Sequence, residues 1–423
     1  MNKQVIIYVF STAIDKGSIF LFFPLILKFL SLEEFGIWSL IMIVSSLLTP
    51  IVSLNGSSSI LREGSENVSI GKYILKFFII YTLFIGGSFS FLLFFIDNLH
   101  EKWLFYSFVI ATIEGVLILV LTFLRTQNKS ISYLIINLLK VSFLLILIIY
   151  SVYNKLEFNQ YLYIQVIIMG IFTLLIMFIT FYFDSNEYKE IALYTVIVFA
   201  VSLIPHVISQ WIMSSSDRLI IEYMLDTKSV GIYSLSYNIA QILTLINMGL
   251  GLALPTYLIK NYLDWKKKNF DNIIIKYYTY IAIFLFVFIY ILYYVDYKYF
   301  NVLKYYNSEM LNLISINYFA IYILGLYTFY ANYLFYHRKG KIISIVTFYA
   351  ALVNILFSVF LIYIFGLIGA SIGTLIAYVF YLYYIIFKTQ QIEIDLNIKL
   401  IRSIVSIVLA IIILRIGISY VIY

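Results

Sequence analysis

One apolar run decides the fold class of this chain: residues 31–61 read SLEEFGIWSLIMIVSSLLTPIVSLNGSSSIL. The apolar part of this run, 36–60, is long enough to cross the hydrocarbon core of a bilayer, for which a helix of about 20 residues suffices. Similar runs follow one another along the whole chain, separated by short charged connectors. We therefore predict an all-α, polytopic membrane protein.

Twelve spans and one further apolar run are predicted. The spans cover 4–30, 36–60, 72–97, 103–124, 130–153, 160–183, 191–224, 229–258, 272–295, 310–336, 341–365 and 367–387, and the further run covers 399–422. The first span contains Asp15 and Lys16 and lacks a small-residue cleavage site, so we expect it to stay attached. Because every connector is short, we expect no extramembrane catalytic domain and no enzyme.

Composition disfavours several other classes of protein. With 63% hydrophobic and 12% charged residues, the chain does not fit a soluble domain. It has no cysteine and only three scattered histidines, so we expect no metal site and no cofactor. No Walker-type phosphate loop occurs, which disfavours ATP hydrolysis. The net charge of +7 suits loops facing anionic lipid better than a nucleic-acid surface.

The distribution of basic residues predicts the orientation. Of the 28 Lys and Arg residues, 18 fall in one alternating set of connectors and 7 in the other. Basic residues near span ends are retained on the cytoplasmic side of the membrane. We therefore expect a cytoplasmic N-terminus.

The chain also repeats itself. A shift of 195 residues lays 31–61 over 226–256 with several identities, among them Gly36 with Gly231 and Thr49 with Thr244. Chance similarity between apolar helices is the alternative. We predict two six-helix bundles, 1–187 and 188–390, followed by an additional apolar segment at 391–423. Because six is an even number, the two bundles would be parallel repeats.

Three motifs carry a resemblance to a known family. They are LSLEEFGIWSLIMIV at 30–44, SSDRLIIEYMLDTKSVGIYSLSYNIAQ at 215–241 and FGLIGASIGTLIAY at 365–378. In order and spacing they resemble the polysaccharide (O-antigen) flippases of the multidrug/oligosaccharidyl-lipid/polysaccharide (MOP) exporter superfamily. The resemblance covers essentially the first 390 residues.

This resemblance implies a MATE-like core of two bundles in the bacterial cytoplasmic (inner) membrane. It implies transport of undecaprenyl-pyrophosphate-linked oligosaccharide repeat units from the cytoplasmic to the outer leaflet, for O-antigen or other surface polysaccharide. A polysaccharide polymerase and a chain-length regulator would be partners, and the chain would work as a monomer. The extra C-terminal run departs from a strict twelve-helix plan.

Ionisable residues inside the spans predict where transport takes place. They are Asp15, Lys16, Glu114, Lys140, Asp217 and Arg218. Each costs roughly 2.5–3.5 kcal/mol at the bilayer centre on insertion scales. We expect them to face a shared aqueous cavity, or to form ion pairs that only fix helix packing.

Their charges suggest roles. For the pyrophosphate and sugars of the substrate, the candidates are Lys16, Lys140, Arg218, Arg62, Arg125, Gln241 and Asn137. For coupling to H⁺ or Na⁺, the candidates are Asp15, Glu114, Asp217 and His206. Arg62 and Arg125 could instead be ordinary positive-inside anchors.

Two rival functions stay open. A multidrug or cation antiporter of the same superfamily would share the fold, but we expect acidic residues to dominate its cavity. A membrane glycan polymerase would need a sizeable catalytic outer loop, which this sequence does not have.

Overall fold

The computed structural model is helical throughout the residues that it describes. These residues are 3–95, 102–182, 192–260, 262, 270–300, 308–392 and 400–422. They form two compact units, Met1–Trp211 and Ile212–Tyr423. The predicted boundary between 187 and 188 lies outside the described residues and stays a prediction.

The first unit holds eight complete helices and the start of a ninth. They are α1 (Lys3–Ile26), α2 (Leu32–Val52), α3 (Gly56–Glu66), α4 (Val68–Phe94), α5 (Lys102–Thr126), α6 (Ser130–Asn154), α7 (Phe158–Tyr182), α8 (Leu193–Ser202) and α9 (Ile204–Met224). The division between the units falls inside α9. Pro205 lies in the first turn of α9, where its missing N–H costs nothing, directly after the break that separates α8 from α9.

The second unit contains the remaining helices. They are α10 (Thr227–Ala240), α11 (Ile242–Lys260), α12 (Phe270–Val295), α13 (Ser308–Tyr336), α14 (Gly340–Gln390) and α15 (Leu400–Ile422), with a π-helical turn at Asp296–Phe300 after α12. The C-terminal run predicted at 399–422 is therefore helical over most of its length, and it packs against α12 and α13.

The predicted multi-pass organisation is confirmed. Among the described residues, nine stretches are long and apolar enough to cross a membrane, or ten if α10 and the start of α11, bent by 51°, count together. One of the nine joins α8 and α9, and another is the whole of α14.

The 51-residue α14 contains both of the spans predicted at 341–365 and 367–387. Gly366 separates them with φ +58° and ψ −136°, a backbone conformation that is accessible essentially only to glycine. The helix therefore changes direction at this residue.

Two further glycines let the arms of α14 meet beyond Gly366. A Cβ atom on Gly373 would lie 2.9 Å from the Cα of Ser358, and one on Gly369 would collide with the carbonyl of Leu361. The backbones before and after the turn thus pack directly on each other, as small residues allow in membrane helices.

Equivalent signals start the two repeated segments. Ser31 caps α2 by accepting a hydrogen bond from the Glu34 amide at 3.2 Å, and Glu34 accepts one in return from the Ser31 amide at 2.7 Å. Asp226, which is 195 residues later, caps α10 by accepting a bond from the Ser229 amide at 2.6 Å.

One helix forms the centre of each unit. In the first, α5 contacts α2, α3, α4, α6 and α7; in the second, α13 contacts α10, α11, α12, α14 and α15. They are also the most buried of the candidate spans, with 61% and 72% of their most apolar window buried. Each of them is the fourth predicted span of its half, so the same predicted position is central in both units.

Candidate functional site

A cavity of about 490 Å³ lies within the first unit. Its walls come mainly from α1, α2, α5, α6 and α7. Four of the residues predicted from their position inside apolar spans line it together: Asp15, Lys16, Glu114 and Lys140. The structure thus brings together, in one cavity, charges that are far apart in the sequence.

Lys140 is the centre of this charged group. Its ammonium lies 2.9 and 3.1 Å from the two carboxylate oxygens of Glu114 and 3.3 Å from Oδ1 of Asp15. The Lys140 side chain is only 12% exposed, and the carboxylates of Asp15 and Glu114 are 21% and 28% exposed. Three helices, α1, α5 and α6, are therefore joined by one ammonium and two carboxylates.

Lys16 is placed differently. Its side chain is 65% exposed, and its ammonium lies 4.0 Å from Oδ2 of Asp15, which is an ion pair but not a hydrogen bond. Lys16 therefore keeps hydrogen-bond donors for another partner in the cavity, whereas Lys140 directs its own to the carboxylates.

One wall of the cavity is a polar stripe formed by Ser45 and Thr49 on α2 and by Ser53, which caps the end of this helix. Each hydroxyl donates to a carbonyl four residues earlier, at 2.6, 2.7 and 2.7 Å. Since the donors are used, the oxygens face a ligand mainly as acceptors. The spacing of four residues was visible in the sequence and could have identified this stripe.

The cavity also has an aromatic and amide lining, which comes from Trp38, Tyr161 and Gln165. Gln165 is 7% exposed, and its Oε1 has no hydrogen-bond partner among the described residues. A buried amide oxygen without a partner is costly, which marks Gln165 as a group with unused capacity for a ligand.

Other predicted residues of the first unit lie outside this lining. Asn137 is buried and donates to the Ser11 hydroxyl at 2.9 Å. Arg62 is exposed, lies 3.4 Å from the Glu63 carboxylate and covers the ring of Phe199.

Two further predicted residues, Arg125 and His206, also lie outside the cavity lining. Arg125 is exposed with its guanidinium 5.9 Å from the centre of the Tyr8 ring, and His206 is half-buried on α9. Neither belongs to the residues that line the cavity.

In the second unit, Asp217 and Arg218 form a buried ion pair. The guanidinium donates to Asp217 Oδ1 at 3.3 Å and to the Ser214 carbonyl at 3.2 Å, and the side chains of Asp217 and Arg218 are at most 3% exposed. Tyr233 donates to the second oxygen of Asp217, and the ring of Tyr237 lies 4.3 Å from the Arg218 guanidinium.

Gln241, the last of the predicted residues, sits at the bend between α10 and α11. Its backbone N–H donates to the Tyr237 carbonyl at 2.9 Å. The second unit therefore holds Asp217, Arg218 and Gln241 in a tyrosine-rich part of its own core.

Comparisons with known structures identify the fold. An inward-facing multidrug resistance MATE family transporter of the MOP superfamily aligns with a TM-score of 0.68 at 14% identity, over 94% of this chain and 100% of its own. An outward-facing structure with the same description aligns at 0.57 and 14% identity, over 92% and 96%. A MOP superfamily transporter from Pyrococcus furiosus, described as having a binding pocket of reverse polarity, gives 0.56 and 14%, over 92% and 96%.

Comparison with sequences identifies the family. No curated protein sequence matches the chain significantly. A family model described as polysaccharide biosynthesis protein matches residues 1–246, which is more than half of the chain. The chain therefore belongs to the polysaccharide biosynthesis protein family, and it has the fold of the MATE transporters of the MOP superfamily.

Proposed function

We propose that this protein is a flippase for lipid-linked oligosaccharides. It moves undecaprenyl-pyrophosphate-linked repeat units from the cytoplasmic to the outer leaflet of the bacterial inner membrane by alternating access, with its N-terminus in the cytoplasm. The translocated units supply assembly of O-antigen or another surface polysaccharide, together with a polymerase and a chain-length regulator.

The charge pattern of the cavity in the first unit carries this proposal. Two ammonium groups face two carboxylates there, and Lys16 is the ammonium without a hydrogen-bonded carboxylate. A pyrophosphate is a compact anion that a lysine binds as a point charge. Lys16 is therefore the residue that we assign to the pyrophosphate.

The remainder of the lining suits the sugars. Sugar hydroxyls donate hydrogen bonds, and the oxygens of Ser45, Thr49 and Ser53 and the unpartnered Oε1 of Gln165 supply acceptors for them. Trp38 adds an aromatic ring of the kind that packs on the apolar faces of sugar rings, whereas the Tyr161 ring is almost fully buried.

Export of cationic drugs is the second candidate, and the same cluster argues against it. A cation would need an uncompensated carboxylate, but Lys140 already binds Glu114 through both oxygens and also contacts Asp15. In the proposed cycle, Asp15 and Glu114 are the groups through which antiport of H⁺ or Na⁺ is coupled to lipid movement.

Complementation tests the proposal. In a strain lacking this gene, Lys16→Ala should reduce surface polysaccharide by about tenfold or more at equal protein level, because the anionic headgroup loses the ammonium that has no hydrogen-bonded carboxylate. Lys28→Ala is the matched control, since Lys28 is an exposed lysine just beyond the end of the same helix and outside the cavity lining. Full rescue by Lys16→Ala would contradict the assignment of the pyrophosphate site.

A further inference from the structure

The contacts of Lys140 resemble those of a bound cation. Its ammonium is surrounded by three carboxylate oxygens at 2.9, 3.1 and 3.3 Å, which come from two residues on two other helices. An ammonium group has almost the size of a potassium ion, and both bind oxygen ligands. The difference is that the lysine is covalently attached to α6.

We propose that Lys140 occupies the place of a monovalent metal cation between Asp15 and Glu114, so that removing its ammonium creates a potassium site. This inference deepens the proposed function and rests on it for the role of the cavity in transport. The claim that a cation binds between the two carboxylates, however, does not depend on what the cavity transports.

The surroundings explain why a cation has to be present at this position. Asp15 and Glu114 are each less than one-third exposed, and two partly buried carboxylates repel each other unless a positive charge lies between them. Gln165 supplies an independent observation, because its buried Oε1 lines the same cavity without a partner. The cavity thus offers neutral and charged oxygen ligands together.

The proposal has a consequence for ion coupling. On this proposal, a metal coupling ion takes the place that the Lys140 ammonium holds between Glu114 and Oδ1 of Asp15. The cluster therefore exchanges one cation for another and keeps its net charge, instead of filling a vacant acidic site.

Lys16 must be included in the test. Its exposed side chain already lies 4.0 Å from Asp15, so it can move toward the carboxylates when Lys140 is lost. The informative protein is thus Lys16→Ala/Lys140→Met, with Lys16→Ala alone as its matched control. Methionine keeps an unbranched side chain of similar length and removes the charge together with the hydrogen-bond donors of the ammonium.

The measurement is the unfolding temperature of the purified full-length chain in detergent, in potassium chloride and in choline chloride of equal ionic strength. We expect a saturable, potassium-specific rise on the order of a few degrees for the double variant, because a ligand that binds the folded state stabilises it. Wild type, Lys16→Ala and Lys140→Arg should show no difference between the two salts. Adding Glu114→Gln to the double variant should abolish the potassium effect.

Each outcome has a definite meaning. The proposal is supported if the double variant is more stable in potassium chloride than in choline chloride, or if it can be purified in folded form only from potassium buffer. Equal stability in both salts overturns it, as does a double variant that remains unfolded in both while Lys140→Arg folds. Because the readout needs no lipid substrate, a negative result here leaves the flippase proposal standing, and a failure of Lys16→Ala to impair polysaccharide assembly leaves this one standing.

Discussion

At the scale of single residues, two lysines of the same cavity have different neighbours. Lys140 is held by both oxygens of Glu114 and one oxygen of Asp15, so its charge is balanced within the protein. Lys16 is exposed and lacks a hydrogen-bonded carboxylate. Charge count alone would treat the two as equal, whereas the distances separate a lysine that two carboxylates hold from one that keeps hydrogen-bond donors, to which we propose that the pyrophosphate binds.

Gln165 gives the residue-scale prediction. Gln165→Leu should leave the unfolding temperature unchanged or raise it, because an unpartnered buried amide oxygen is replaced by an apolar group of similar size. The same change should lower surface polysaccharide several-fold, since the sugar loses a partner. Gln160→Leu, which changes an exposed glutamine on the same helix, is the control for polysaccharide assembly.

The opposite pattern would contradict this assignment of Gln165. Strong destabilisation with unimpaired polysaccharide assembly would mean that the amide serves packing and does not meet the substrate.

The sequence predicted which charged residues form the candidate site, but not which of them pair with one another. The cost of charge in an apolar helix selected Asp15, Lys16, Glu114 and Lys140, and all four line one cavity. The same reasoning selected Arg218, which the structure buries in an ion pair with Asp217 in the second unit. Hydropathy reports that a charge needs compensation, but not whether water, a ligand or a neighbouring side chain supplies it.

At the scale of helices, the sequence predicted lengths better than interruptions. The predicted span 36–60 contains the break between α2 and α3, where Leu54 and Asn55 take positive φ values of 49° and 51°. The predicted span 191–224 likewise contains the break between α8 and α9. The break between α8 and α9 leaves the apolar run continuous, so a hydropathy window passes over it. The break between α2 and α3 falls in the polar stretch SLNGSSS at 53–59, whose Asn-Gly pair is a turn signal that the predicted span ignored.

Gly366 gives the element-scale prediction. Gly366→Ala should destabilise the protein by about 1–3 kcal/mol, because a Cβ atom is strained at this backbone conformation. The expected observation is a lower unfolding temperature in detergent at a fixed heating rate. Gly340→Ala is a control on the same helix, since its Cβ would meet open space and alanine favours a helix.

If both alanine variants unfolded at the wild-type temperature, the turn would tolerate a side chain. In that event the reversal of α14 would depend on the packing of Gly369 and Gly373 alone.

At the scale of the whole molecule, the repeat explains why so much of the fold could be predicted from the sequence. A shift of 195 residues aligned the capped starts of α2 and α10, and the fourth span of each half became the central helix of its unit. The boundary between the two units follows Trp211, inside α9. The amino-acid composition does not change at this position, so no signal of the boundary is visible in the sequence. A boundary inside a continuous helix depends on long-range contacts, and hydropathy does not report them.

Parallel repeats make a prediction about sidedness, and the absence of cysteine makes it easy to test. Lys129 and Lys341 follow equivalent spans of the two halves, so Lys129→Cys and Lys341→Cys should both be protected from a membrane-impermeant maleimide in intact cells. Lys28→Cys, which lies one span away from the N-terminus, should be labelled without permeabilisation. All three lysines are exposed, so differences in labelling report the side of the membrane rather than burial. Labelling of Lys129→Cys and Lys341→Cys from opposite sides would require an odd number of crossings between them, which is incompatible with two parallel six-helix halves.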